Sequence, residues 1–480
     1  MPVRKPSTKP KGTGEIKRIK TKAVGRGISL LGLTLSSGVK YAGFKLGTIL
    51  AGKEENAGRW DKFLAEQSTK LVEELGQLKG SIMKAGQLLS VYGEHFFPVE
   101  VNRILKTLQA QSRTVSWEEM AKVLRQQLGE EKLAELLIEP QPIAAASMGQ
   151  VYRATIIDSG EHIAIKVQYP GVDQAIDSDL NTLQKLLAVF RLLPSSQRFN
   201  ELFKEIRMML HFEADYKREA EMLSRFATLL QDDRRFIVPK LYERYSSNRV
   251  LTMSFEEGVE LDSPEIAALS QERRNRLAVA FMETMFREIF SWRLVQTDPH
   301  FGNYKIRLAT ATQPSPHIGD QIVLFDFGSV REFPRRYIQP FASLVNASLN
   351  LDEQAVIRAG IRLGFLHADD DEQANALFTK ICLTAIEGYL PRYASPAIDG
   401  SNEGDNPYLW RETDLLQRLT GLAKNAVFTF KLRPPPREAL FLDRKMVGTY
   451  TVVTTLGLRM GPYHLIKPYV NTTTAQGKSL

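Results

Sequence analysis

The sequence predicts an α+β chain: a helical block, then a small β-sheet with inserted helices, then a mostly helical second half. Three observations predict it. Apolar residues Phe63, Leu71, Leu75, Leu78, Ile82 and Leu89 recur at the spacing of one helix face. Strand-forming runs bounded by turn residues occupy 143–157, 162–168, 236–241 and 249–254. From Ser263 helical sequence resumes, interrupted by strand candidates at 304–307 and 322–325 on either side of a Pro/Ser/Thr-rich loop.

Residues 1–23 carry Arg4, Lys5, Lys9, Lys11, Lys17, Arg18, Lys20 and Lys22 against the single acid Glu15, so most of the +8 net charge sits in this arm. Such an arm reads as solvated and flexible, or as a tether to an anionic membrane surface at roughly 1 kcal/mol per basic residue. It does not make a nucleic-acid-binding face, because the remainder is almost neutral. Residues 24–137 read as a helical extension, with further helices near 98–108 and from Ser116-Trp117-Glu118-Glu119, which resembles a capped start. Residues 138–258 hold the small sheet, with helices inserted at 172–193 and 197–230. Residues 259–470 form the helical half, with an exposed Gly/Asn/Asp/Ser/Pro-rich loop at 394–407, and 471–480 is a polar tail.

Several function classes are excluded. At 480 residues the chain suits two or three domains, and 43% hydrophobic with 25% charged residues is a globular composition. One cysteine, Cys382, excludes a disulfide framework and a cysteine-rich zinc site, and suits a reducing compartment such as the cytoplasm. The seven histidines form no HExxH, and no GxxxxGK[ST] loop occurs. No stretch reads as a membrane span or a secretory signal: residues 24–51 are Gly-rich and contain Arg26, Lys40 and Lys45.

The chemistry is carried by Gln296-Thr297-Asp298-Pro299-His300-Phe301-Gly302-Asn303 and by Leu324-Phe325-Asp326-Phe327-Gly328. An Asp and an Asn five positions apart, followed by an Asp in a DFG turn, form the catalytic and metal pattern of phosphoryl transfer. A nucleotide brings several negative charges, and Mg²⁺ held by carboxylate and amide oxygens neutralises them. Asp326 and Asn303 suit the metal, and Asp298 suits orientation of the attacking group. Either motif alone is ordinary turn sequence. Their order, with a strand hairpin between them, sets them side by side.

The nucleotide half centres on Lys166, which ends the apolar strand Ile163-Ala164-Ile165 in a VAIK-like pattern. A lysine there needs a carboxylate partner from a helix. Glu213 and Glu219, six apart, are both candidates. Where a Gly-rich loop would cradle phosphates, the chain has Ala144-Ala145-Ala146-Ser147, a stiffer loop of the same small profile, or else a packed tight turn. The run from Met253 to Phe255 fits a hinge whose strand edge meets adenine.

These motifs, together with Lys84-Ala85-Gly86-Gln87 (KxGQ) and Glu213-Ala214-Asp215 (ExD), resemble the UbiB family of atypical kinases, the ABC1/ADCK type, over about residues 57–465. The resemblance implies a protein-kinase-like two-lobe fold with the N-terminal extension covering the active site. Lys84 and Gln87 would then meet Glu213 and Asp215, and Lys166 would pair with Glu219. It also implies ATP and Mg²⁺ as cofactors, a small-molecule or lipid-like acceptor, and a role in ubiquinone biosynthesis or lipid homeostasis at a membrane surface.

The expected function is therefore an atypical kinase or ATPase that transfers or hydrolyses the γ-phosphate, peripheral to a membrane. The alternative is a non-catalytic nucleotide-dependent switch or lipid-binding chaperone. An ordinary protein kinase fits less well, because Ser329-Val330-Arg331-Glu332-Phe333-Pro334 leaves little room for an activation loop.

Overall fold

The computed structural model describes residues 81–92, 115–189, 197–298, 300–309, 319–395, 397, 399–429 and 436–471. The basic arm, the extension before residue 81, the helix expected near 98–108, the loop at 310–318 and the tail from residue 472 lie outside the described residues. The chain divides into two compact units, Met1–Glu221 with Lys240–Phe255, and Met222–Pro239 with Glu256–Leu480.

The first unit opens with helix α1 (Ser81–Tyr92), which buries Ala85, Leu88 and Leu89. Helix α2 (Trp117–Ala134) follows, with Glu118 and Glu119 in its first turn and Lys132 in its last, both favourable to the helix dipole. Met120, Val123, Leu124 and Leu128 form its buried face. The expected run to 137 ends sooner, since Leu136 already begins strand β1 (Leu136–Ala146). β2 (Gly149–Ile156) and β3 (His162–Gln168) continue antiparallel. Along β3, Ile163, Ile165 and Val167 are fully buried on one face, which turns Lys166 to the other.

Helices α3 (Val172–Val189) and α4 (Gln197–Ala214) come next, and α1 packs on both. The helix expected over 197–230 is broken at Asp215, whose carboxylate accepts the Arg218 N–H at 3.0 Å and so starts α5 (Tyr216–Leu230). A two-residue strand, β4 (Phe236–Ile237), belongs to the second unit, and the chain then returns as β5 (Val250–Ser254) to complete the sheet in the order β1-β2-β3-β5. The strand expected over 236–241 is therefore two separate things. Phe236 and Ile237 pair with a strand of the second unit, whereas Leu241 bridges Met253 beside β5.

In the second unit, helix α6 (Gln271–Phe286) is capped by Ser270, which accepts the Arg273 N–H. It runs into a π-helical turn, Arg287–Trp292, that ends on Arg293 at φ 54. Strand β6 (Leu294–Gln296) leads into the Asp298 loop. The expected hairpin is present as β7 (Tyr304–Arg307) antiparallel to β8 (Gln321–Leu324), with β4 parallel on the far side of β8. β9 (Val330–Glu332) returns to pair with β6, which anchors the two ends of the motif region to each other. Helices α7 (Arg335–Leu349), α8 (Glu353–Leu363), α9 (Glu372–Ala385), α10 (Leu415–Thr429), α11 (Arg437–Leu456) and α12 (Tyr463–Val470) complete the unit. Its core includes the aromatic cluster of Tyr389, Trp410 and Tyr450, where the Trp410 indole N–H donates to the Met460 carbonyl at 2.9 Å.

Candidate active site

In the first unit Lys166 Nζ lies 2.6 and 2.8 Å from the two oxygens of Glu219, whose side chain is 1% exposed. Two-point contact compensates much of the cost of taking both charges out of water. The Tyr216 ring stands 5.0 Å from the ammonium and adds a cation–π contact. Of the two glutamates open as partners, Glu219 is the one that meets Lys166.

Glu213 does something different. It is paired with Lys84 of α1 at 2.9 Å and also accepts the Ser147 hydroxyl. One carboxylate thus joins the KxGQ helix to the turn that follows the three alanines. Asp215 does not share this role, contrary to expectation: it is exposed and serves as the cap of α5. Gln87 is half-buried one turn beyond Lys84, and among the described residues it makes no hydrogen bond to either acid.

The alanine segment is not a loop. Ala144, Ala145 and Ala146 pair with Val151, Gln150 and Gly149 as the end of β1, and only Ser147 and Met148 form the turn. Small side chains let this hairpin end stay extended and compact. Gly149 is required beside it, because a Cβ there would lie 2.3 Å from the Val167 carbonyl oxygen and 2.8 Å from the Tyr216 hydroxyl. The expected hinge edge is also partly occupied. Met253 is buried between Ala164 and Leu241, the Ser254 N–H donates to the Lys240 carbonyl, and the Phe255 N–H donates to the His162 carbonyl. Those two N–H groups are therefore not open to an adenine ring.

In the second unit Asp298, Asn303 and Asp326 are tied together through their backbones. The Asn303 amide N–H donates to the Asp298 carbonyl at 2.7 Å, which leaves the amide oxygen as its acceptor end. Asp326 Oδ1 accepts the Gly328 N–H at 2.9 Å, closing the DFG turn. Gln296 sits between the two acids: its Oε1 accepts the Asp298 N–H at 2.7 Å and its Nε2 donates to the Asp326 carbonyl at 3.3 Å. An Asn oxygen and an Asp carboxylate are hard oxygen donors, the kind Mg²⁺ takes in ones and twos alongside phosphate oxygens. Among the described residues no cluster of three or more acids, histidines or cysteines forms a separate metal cage. An Asn oxygen beside an Asp carboxylate is a donor set that fits a magnesium ion arriving with a nucleotide.

Three residues of this centre carry no motif in the sequence. Arg444 of α11 pairs with Asp298 at 2.7 Å. The next residue, Lys445, pairs with Glu288 of the π-turn at 2.8 Å, with both side chains buried. Burial pushes the Glu288 carboxyl above its ordinary range, and the Lys445 ammonium opposes that shift. Burial, together with the negative charges of Glu288, Asp298 and Asp326, pushes the Tyr304 phenol well up, so it stays neutral.

Comparison with known proteins identifies the family and the fold. The model of the ABC1 atypical kinase-like domain matches residues 107–360. The zebrafish (Danio rerio) atypical kinase COQ8B, mitochondrial, is 30% identical over 393 residues, 81% of this chain and 58% of the relative, so the chain spans little more than half that protein's length. The Saccharomyces cerevisiae atypical kinase COQ8, mitochondrial, is 28% identical over 405 residues, covering 84% of this chain and 76% of the relative. Among solved structures, the complex of Rv3197 with erythromycin from Mycobacterium tuberculosis superimposes with a TM-score of 0.56 at 21% identity, covering 87% of this chain and 98% of that one. That likeness shows the fold. With its α+β kinase-like fold and its matching domain, the chain belongs to the ABC1 atypical kinase-like family, the UbiB group.

Proposed function

We propose that the chain binds Mg-ATP and transfers its γ-phosphate to a small-molecule or lipid-like acceptor, or to water. The observation that carries this reading is the division of labour around Asp298. Asn303 and Asp326 present oxygens suited to a metal, while Arg444 engages Asp298. Magnesium, when bound, neutralises phosphate charge and polarises the transferred group. Lys166, oriented by Glu219, supplies a fixed cation for the α- and β-phosphates. Asp298 accepts the hydrogen bond of the acceptor O–H and aims it. Arg444 holds one oxygen of that carboxylate, so the part of Asp298 is orientation of the attacking group.

The relatives' name, COQ8, fits the link to ubiquinone that the family resemblance implies, and mitochondrial location is part of those relatives' names. Among the described residues no helix is long and apolar enough to cross a membrane. We place the protein at a membrane surface, with residues 1–23 as the basic contact. A second reading, a nucleotide-dependent switch, is favoured by one observation: Glu213 ties Lys84 to Ser147 and so gives α1 a hold on the hairpin turn.

The test is ATP turnover by purified protein, with Mg²⁺ or EDTA, with and without anionic liposomes and quinone-head-group analogues. Turnover that requires Mg²⁺ supports the enzyme. Nucleotide binding with no hydrolysis or transfer under any of these conditions supports the switch.

A further inference from the structure

Lys445 lies far along the chain from the catalytic loop, yet a continuous run of buried contacts connects them. Lys445 Nζ stands 2.9 and 2.8 Å from the two oxygens of Glu288. Glu288 Oε2 also accepts the Gln296 N–H at 3.1 Å. The Gln296 side chain then divides itself between the Asp298 N–H and the Asp326 carbonyl. A single primary amide therefore sets the distance between the backbones that carry both acids. The main chain of the same residue is held by Glu288, and Glu288 by helix α11.

Two features argue that this relay serves geometry. A buried Glu–Lys pair adds little net stability, since apolar residues of similar volume often do as well or better. Glu288 also lies in the π-helical turn Arg287–Trp292, and such turns are rare and concentrate at functional positions because the extra residue re-aims side chains.

We propose that Lys445, Glu288 and Gln296 are positioning residues for phosphoryl transfer, and that their relay fixes the spacing of Asp298 and Asp326. The proposal rests on the kinase reading above. None of the three touches a reacting atom. Each acts through the next, and Gln296 acts on both acids at once.

The experiment compares Gln296→Glu, Glu288→Gln and the apolar pair Glu288→Leu/Lys445→Met with the full chain. Gln296→Glu keeps an acceptor for the Asp298 N–H but replaces the donor to the Asp326 carbonyl with a second oxygen. Its kcat is expected to fall about 10- to 100-fold with KM for ATP little changed, the loss typical of a displaced catalytic group. Its Mn²⁺ affinity in the presence of ADP, read by electron paramagnetic resonance, should weaken several-fold in protein shown by circular dichroism to be folded. The apolar pair should be as stable as wild type and yet share both losses. Glu288→Gln gives the same reading if the apolar pair does not fold. Wild-type kcat and Mn²⁺ affinity in Gln296→Glu, or in the stable apolar pair, would overturn the proposal. Failure of the underlying reading looks different: the unaltered protein would then show neither Mg²⁺-dependent turnover nor Mn²⁺–ADP binding.

Discussion

Arg444 on α11 donates from Nη2 to Asp298 Oδ1 at 2.7 Å, with both side chains at least five-sixths buried: 15% and 12% exposed. The planar guanidinium fixes the direction of the carboxylate as well as neutralising it. Removing it leaves Asp298 loosely oriented. Arg444→Met is expected to lower kcat about 10- to 100-fold with KM for ATP nearly unchanged, and Arg444→Lys to recover only part of the loss. Steady-state kinetics on the three proteins checks this.

Lys166 and Glu219 form a pair whose partners cannot be lost singly. Lys166→Met breaks the ion pair of a glutamate that is 1% exposed, and should destabilise the protein by about 3–5 kcal/mol. Lys166→Met/Glu219→Leu should regain most of that stability and still bind ATP poorly. Urea denaturation and nucleotide titration, run on the same samples, separate the two effects. Tight ATP binding by the double variant would remove Lys166 from the phosphate-binding role.

Glu213 holds Lys84 and Ser147 at the same time. Glu213→Gln removes the Lys84–Glu213 ion pair, at a cost of about 1–3 kcal/mol. Hydrogen exchange should then speed up in α1 and in the turn at Ser147-Met148 together. Faster exchange in only one of them would show that Glu213 does not couple the two.

A pH test is available at Glu135. Hydrogen bonds from Arg244 and Tyr245 hold its carboxyl down at about 2, below the ordinary 4.5. A lowered folded-state value means the contribution is complete above pH 4.5 and fades as pH falls towards 2. The urea midpoints of wild type and Glu135→Gln should therefore differ by a constant amount at neutral and mildly acidic pH. The two should converge between pH 4.5 and 2.

What could be read from the sequence was what lies close together along it. Asp298, Asn303 and Asp326 sit within two short motifs joined by a hairpin, and Lys166 ends a strand whose alternation is plain. Arg444 and Lys445 lie in Asp-Arg-Lys-Met, a stretch that reads as an ordinary charged helix face. Only their burial against Asp298 and Glu288 marks them, and burial depends on partners more than a hundred residues away. Glu288 was hidden because a π-turn shifts side chains off the 3.6-residue period on which helical patterns are read. The alanine segment read as a loop because it stands where a Gly-rich phosphate loop would, although it also falls in the strand-forming run 143–157. The register imposed by Val151, Gln150 and Gly149 makes it the end of β1. The family resemblance implied that Asp215, with Glu213, would meet Lys84 and Gln87. The helix break between α4 and α5 takes the Asp215 carboxylate for capping instead.

In the proposed reaction Asp326 and Asn303 hold the metal of a bound nucleotide and Asp298 stands outside that set. Calorimetric titration of ATP with and without Mg²⁺, alongside turnover, tests it on Asp326→Asn and Asp298→Asn. Asp326→Asn should lose Mg²⁺-dependent binding and turnover together. Asp298→Asn should bind Mg-ATP as wild type does and turn over about 100-fold more slowly. Undiminished Mg²⁺-dependent binding and turnover in Asp326→Asn would contradict the account.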